Sequence, residues 1–188
     1  MDTYSRFSDL AARESEFDVT VIDRTSDVTI LAPHGGRIEP NTTEIATLIA
    51  GDEYNLFCFN GRKNSGNHTL HLTSHRFDHP RALKLVQSSS YVVCIHGCSI
   101  AERLIYIGGL DRELVEQTCS QLSRIDINTI SGDRRYGGVN PDNLCNRGYR
   151  KKGMQLELSR PLRDCPKDYA TIASAVRTAL AEIKNGRG

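Results

Sequence analysis

Apolar residues along this chain follow two rhythms. Short runs rich in β-branched and aromatic residues recur at 19–23 (VTVID), 28–33 (VTILAP), 54–61 (YNLFCFNG), 91–97 (YVVCIHG), 104–109 (LIYIGG) and 153–159 (GMQLELS). Most are apolar on both faces, the pattern of strands buried between two helical layers. Between them the apolar positions fall three or four apart: Ile45, Leu48 and Ile49; RALKLVQSS after Pro80; Leu114, Thr118, Leu122 and Ile125; Ile172, Val176, Leu180 and Ile183. That spacing lays one stripe along a helix. The alternation predicts an α/β fold, a mixed and mostly parallel sheet flanked by helices, with ligands received at the carboxyl ends of its strands.

Local signals refine these boundaries. Pro33 is expected to end its strand, and Asn41 with Glu44 has the spacing of a capping box for the next helix. Asp111 lies near the start of a helix over 111–125, and Asp168 is placed to cap the last helix, which Asn185-Gly186 ends. HTLHLTS at 68–74 reads as a further strand after the polar loop RKNSGN, and DINTI at 126–130 as a short one. Residues 134–153 are rich in Gly, Asn and Arg without periodicity, the composition of a long surface loop that carries function. Residues 1–18 are polar and mildly amphipathic, a peripheral segment anchored by Leu10, Ala11 and Phe17 on a single domain spanning 1–188.

Composition narrows the classes. With 188 residues, 25% of them charged, and a formal net charge of +1, the chain is neither disordered nor built to grip nucleic acid. It has no apolar run of about 20 residues, the length that spans a bilayer. MDTYSRFSDLAARESEFD lacks the pattern of a signal peptide, so the expectation is a cytoplasmic protein, released if at all by lysis. Six cysteines without a C-x-x-C pair read as buried thiols.

The candidate chemistry lies where strands meet glycine. His34 and His96 each stand where an apolar strand gives way to a glycine turn, and Glu39 comes next on the first of those loops. Two imidazoles and one carboxylate are the protein ligands of one kind of catalytic zinc, leaving a fourth position for water. From the residues alone, hydrogen-bonded structural histidines remain an open alternative. Cys94, His96 and Cys98 would share one strand face, but a closed thiolate site leaves no room for water. Glu157 stands in an otherwise apolar strand, either facing solvent in an alternating QLELS or serving as a general base.

Taken together and in order, PHGGRIEPNTTEIA, SGNHTLHLTSHRFDHP, IHG, NPDNLCNRG and GMQLELS resemble the bacteriophage-type zinc-dependent poly-γ-glutamate hydrolases from about residue 30 to 160. That family is in turn similar to the zinc carboxypeptidases and aspartoacylases. The resemblance implies one zinc per chain held by His34, Glu39 and His96, a catalytic Glu157, and a polyanionic γ-glutamyl polymer or peptide as substrate. On that reading Arg147, with Asn146 beside it, is the candidate partner for an oxyanion. Arg76, Arg134, Arg135 and Arg150 are candidates to hold substrate carboxylates by paired hydrogen bonds. His71 and His75 are expected to support the site rather than ligate, and Asp78 to orient a ligand histidine. The cysteines flanking His96 and the bulky Arg37 in the glycine turn depart from the family pattern. Alternative readings are a hydrolase of cell-wall γ-glutamyl peptides or of N-acyl amino acids, a non-enzymatic phage replication-associated protein, and a structural zinc domain. No membrane or nucleic-acid partner is expected, and the oligomeric state is left open.

Overall fold

A computed structural model describes residues 2–186. Seven strands form one sheet: β1 (Phe17–Ile22), β2 (Val28–Gly36), β3 (Asn55–Gly61), β4 (Tyr91–Gly97), β5 (Leu104–Gly108), β6 (Asn128–Ser131) and β7 (Met154–Leu158), in the order β1-β3-β2-β4-β7-β5-β6. β2 runs parallel to β3 and β4, β4 parallel to β7, and β5 parallel to β6; β1 joins β3 and β5 joins β7 antiparallel. The sheet is therefore mixed and mostly parallel, as the two-sided apolar runs require.

Each face is covered. On one, Ile30, Ala32, Val93, Ile95, Leu156 and Leu158 pack against helices α2 (Thr42–Ala50), α4 (Arg112–Ser123) and α6 (Pro166–Asn185), which contribute Ile45, Ile49, Leu114, Leu122, Val176 and Leu180. On the other, Leu31, Phe57, Phe59, Val92 and Cys94 meet Leu10 of α1 (Phe7–Ala11), Leu85 and Val86 of α3 (Pro80–Ser88), and the irregular segments holding Leu70, Leu72, Phe77 and Leu144. A four-residue helix, α5 (Arg160–Arg163), links β7 to α6. All six cysteines are free thiols. Among the described residues no helix is long and apolar enough to cross a membrane.

Several local expectations give way to tertiary context. HTLHLTS is not a strand: Asn67–Leu70 is a short 3₁₀ helix, and the chain beyond it crosses the sheet face. β3 already has β1 and β2 on its two edges, so the apolar residues of this run are buried by covering the sheet instead of extending it. β2 does not stop at Pro33. The proline falls inside a register shift between Ala32 and Gly35 against β3, where its missing N–H costs no ladder bond. Asn41 sits at φ 71° and makes no side-chain cap; its amide donates to Asp164 instead. Asp168 likewise caps nothing: α6 starts at Pro166, and Asp168 pairs with Arg103.

The N-terminal segment is not peripheral. Leu10 is fully buried, Phe7 packs its ring against Phe17, Phe59 and His79, and the side chain of the half-buried Asp2 meets His71. Nor is 134–153 simply a solvated loop. Leu144 and Cys145 join the core, and Asn146 ties the segment together.

Candidate metal centre

The site forms where two parallel strands stop pairing. β2 and β4 stay in register from Val28↔Tyr91 to Leu31↔Cys94 and then part, and His34 and His96 fill the gap beyond. Gly36, two residues on, has φ 62°, a conformation that favours glycine, and its N–H donates to Thr43 Oγ1 at 3.1 Å. The backbone then closes a turn, Glu39 N–H donating to the His34 carbonyl at 2.9 Å, which brings the Glu39 carboxylate back over the imidazole five residues earlier.

Donor atoms of three residues converge. His34 Nδ1 lies 3.1 Å from Glu39 Oε1 and 3.1 Å from His96 Nδ1, and His96 Nδ1 lies 3.8 Å from Glu39 Oε2. A tetrahedral zinc with bonds of about 2.0–2.1 Å would hold its ligand atoms about 3.3 Å apart, close to the two separations that His34 Nδ1 makes. The far ring nitrogens agree. His34 Nε2 is 2.7 Å from the carbonyl of Leu72, which can only accept, so that nitrogen carries the hydrogen and a neutral His34 presents its Nδ1 lone pair to the centre. His96 Nε2 lies 3.1 Å from Ser74 Oγ. Glu39 Oε2 also accepts the Gly97 N–H at 2.8 Å. A Cβ on Gly97 would sit 2.4 Å from Cζ of Arg163, whose buried guanidinium donates to the carbonyls of Pro40, Cys98 and Leu158 and so fixes the floor under both ligand loops.

A third imidazole also faces the centre. His71 stacks on His34, with centroids 4.0 Å apart, and its Nε2 is 4.0 Å from Glu39 Oε1. By distance, His34, Glu39 and His71 form a group able to hold a metal ion. Behind His71, its Nδ1 is 2.9 Å from Asp2 Oδ1.

Glu157 stands directly opposite His96 in the β4–β7 register and lines the same cavity, of about 620 Å³, as His34, Glu39, His71 and His96. The charges around these groups are strongly coupled. Burial pushes the Glu157 carboxyl up, and the Glu39 anion adds to it, to about 8. Burial opposes ionisation of Glu39 too, but the His34 charge and hydrogen bond prevail and hold it at about 2. His34 is pulled down by burial yet ends above the usual imidazole range because of Glu39. Burial and the His34 charge drive His96 down to about 3. At neutral pH Glu39 is therefore ionised and Glu157 keeps its proton, an arrangement that a dication would reorganise.

Other expected residues lie elsewhere. Arg147 is not beside the cluster: its guanidinium donates to the carbonyls of Asp142, Phe77 and His75, bracing one loop against another. Asn146 is buried, and its amide group is used up on the backbone of Leu110, Gly153, Gly138 and Asn140. Arg150 pairs with the buried Asp111 and stacks on Tyr91. Arg76 is exposed and lies 3.9 Å from Asp2. Asp78 orients no ligand histidine; it accepts the Phe7 N–H. Arg134 and Arg135 do line the cavity. No sequence signal singles out the Leu72 carbonyl, Ser74 or Asp2. The first two lie in a run with the pattern of a strand, and nothing local marks Asp2, 69 residues from its partner.

Imidazoles and a carboxylate gather at the carboxyl edge of an α/β sheet, with a second carboxylate on the strand paired with β4, and their donor atoms could hold a metal ion. The chain matches the poly-gamma-glutamate hydrolase family over residues 4–180 and belongs to it. It is 36% identical to the Bacillus subtilis (strain 168) UPF0714 protein YmaC over 168 residues, 87% of this chain and 71% of that one. The structure superposes on a bacteriophage poly-gamma-glutamate hydrolase with a TM-score of 0.92 at 28% identity, covering 98% of this chain and 99% of the other. It also superposes on a zinc-free structure of YndL with a TM-score of 0.91 at 29% identity, covering 96% and 98%.

Proposed function

We propose that the protein is a zinc-dependent hydrolase of γ-glutamyl amide bonds, with poly-γ-glutamate as the leading substrate, and that His34, Glu39 and His96 hold one zinc per chain. The observation that carries this reading is the convergence of two Nδ1 atoms and a carboxylate at zinc-ligand spacing, with His34 fixed in the ligating tautomer by the Leu72 carbonyl. Zinc there would polarise the amide carbonyl and acidify a water. Glu157, directly opposite His96 in the β4–β7 ladder, takes the proton from the attacking water and passes it to the leaving nitrogen. Its fold-raised affinity for a proton equips it for the second step, and a neighbouring dication favours the ionised form needed for the first.

The surroundings suit a polyanion. Arg134 and Arg135 line one side of the cavity, placed to meet the carboxylate carried by each glutamyl residue. A second cavity of about 540 Å³ shares Glu39, His71, Gly97 and Cys98 with the first and extends past Arg160, so the groove continues on both sides of the centre. A chain lying through both would be cut internally.

The test is incubation of the zinc-loaded protein with poly-γ-glutamate, with muropeptides containing γ-glutamyl links and with N-acyl amino acids, products being read by mass spectrometry. Chelator-sensitive shortening of the polymer into oligomers is expected. Cleavage of only the muropeptide or only the small amide would move the substrate assignment, and no cleavage of any would end the hydrolase reading.

A further inference from the structure

β7 carries a second buried polar side chain on the face that bears Glu157. Gln155 stands two residues earlier, lines the same cavity and is only 4% exposed. Its neighbours fix the orientation of its amide. Asn143 Oδ1 accepts the Cys145 N–H, which leaves Asn143 Nδ2 to donate to Gln155 Oε1 at 2.8 Å, and Gln155 Nε2 then donates to the Tyr136 carbonyl at 2.9 Å. Residues 133–138 are thereby tied to the strand of Glu157. Asp133 Oδ1 accepts the N–H groups of Arg135 and Tyr136 at 2.7 and 2.8 Å, and the Gly137 carbonyl accepts the Gly109 N–H at 2.8 Å. The Tyr136 ring packs on Tyr106, centroids 4.7 Å apart, and Tyr106 is paired with Glu157 in the β5–β7 ladder. The Arg135 guanidinium lies over the Tyr136 ring, 5.1 Å from its centroid.

Two guanidinium charges act on the Glu157 carboxyl, those of Arg163 and Arg135, and Arg163 already donates to three carbonyls. Arg135 is exposed and lines the cavity. Resting on the hydrolase reading above, we propose that Arg135 reads the α-carboxylate of the glutamyl residue on the leaving side of the scissile bond, and that Gln155 is the positioning residue that holds Arg135 there. The chemistry of a γ-linked chain decides the side. The leaving nitrogen is joined to the next α-carboxylate through a single carbon, whereas three carbons separate the attacked carbonyl from the acyl-side carboxylate. Glu157 delivers its proton to that nitrogen, so the leaving-side carboxylate lies against the wall that Glu157 shares with Arg135. Glu157 borders the first cavity and not the second, which sends the leaving side past Arg134 and Arg135 and the acyl side past Arg160. A guanidinium held in one place meets a carboxylate there with two parallel N–H donors.

γ-Linked glutamate tetramers, each with one α-amide in place of an α-carboxylate, test this, the bond cut being read by mass spectrometry. By kcat/KM, wild type should cut a bond whose leaving-side residue is amidated about 10–100-fold less efficiently than the same bond in the all-carboxylate tetramer. Arg135→Gln should bring that ratio close to one. Gln155→Met should move it toward the same value, and the Arg135→Gln/Gln155→Met double variant should match Arg135→Gln, because Gln155 acts through Arg135. Damage to the fold or to the metal centre would slow every bond alike and leave the ratio in place. Full discrimination retained by Arg135→Gln, or a preference that follows the acyl-side amide instead, would overturn the proposal, and full discrimination retained by Gln155→Met would remove Gln155 from it. Arg135 is exposed, so its variant decides the assignment even where Gln155→Met fails to fold. Should wild type cut none of the tetramers, the hydrolase reading fails, and calorimetry of the metal-free protein decides the carboxylate site. Binding of the all-carboxylate tetramer weakened about tenfold or more by Arg135→Gln supports that site, and equal affinity overturns it.

Discussion

Replacing Glu157 by Gln should have two effects of opposite sign. The side chain keeps its size but can no longer take a proton from water. Loss of a general base is worth about 10²–10⁴ in rate, or about 2.7–5.4 kcal/mol of transition-state stabilisation. Stability should move the other way. In the metal-free fold the carboxyl is raised from 4.5 to about 8, chiefly by burial and then by the Glu39 anion. Below pH 4.5 folded and unfolded chains both keep this proton. Between 4.5 and 8 the unfolded chain gives it up while the folded one holds it, so stability falls as pH rises. Above pH 8 the full difference amounts to about 5 kcal/mol in a dry site, and partial solvent contact reduces it to about 2 kcal/mol. The metal-free Glu157→Gln protein should therefore be more stable than wild type at about pH 8.5 and indistinguishable from it at about pH 4, by urea denaturation, while its zinc-loaded form turns over at least about 100-fold more slowly. A variant that is inactive and less stable at the higher pH would refute the reasoning, because the loss would then trace to a damaged site.

Two more outcomes rest on the same geometry. Zinc must displace the proton that Glu39 helps His34 to keep, so its apparent Kd should tighten as pH rises, by about tenfold per pH unit where that one proton is released. Calorimetry in buffers of different ionisation enthalpy should show proton release, and a pH-independent Kd would contradict the coupling. Arg147→Met should leave kcat intact while lowering stability by about 1–2 kcal/mol, since it unpairs loop carbonyls without touching the cavity. A drop in kcat of about 100-fold at unchanged Tm would restore Arg147 to the chemistry.

The strands were legible because a sheet covered on both faces demands continuous apolar runs, and His34 and His96, which line one cavity with Glu39 and Glu157, stood out because a histidine closing such a run needs a reason. The failures share one cause. Whether HTLHLTS forms a strand depends on a free edge of β3, and β1 had taken it. That same segment supplies the Leu72 carbonyl, Ser74 and His71, so misreading it hid the supporting half of the site. Arg147 carries a charge that fits an oxyanion in the abstract, but three nearby carbonyls claimed it, a competition invisible without coordinates. Asp2 acts across 69 residues of sequence, and no local pattern encodes such a contact.

Distance alone admits two ligand sets, one completed by His96 and one by His71. Zinc stoichiometry and affinity of His96→Ala and His71→Ala, measured by competition with a chromophoric chelator, separate them. The account predicts one zinc per chain in wild type, retention at near wild-type affinity in His71→Ala, and a loss of at least about 100-fold in His96→Ala. Zinc held tightly by His96→Ala but lost from His71→Ala would contradict it.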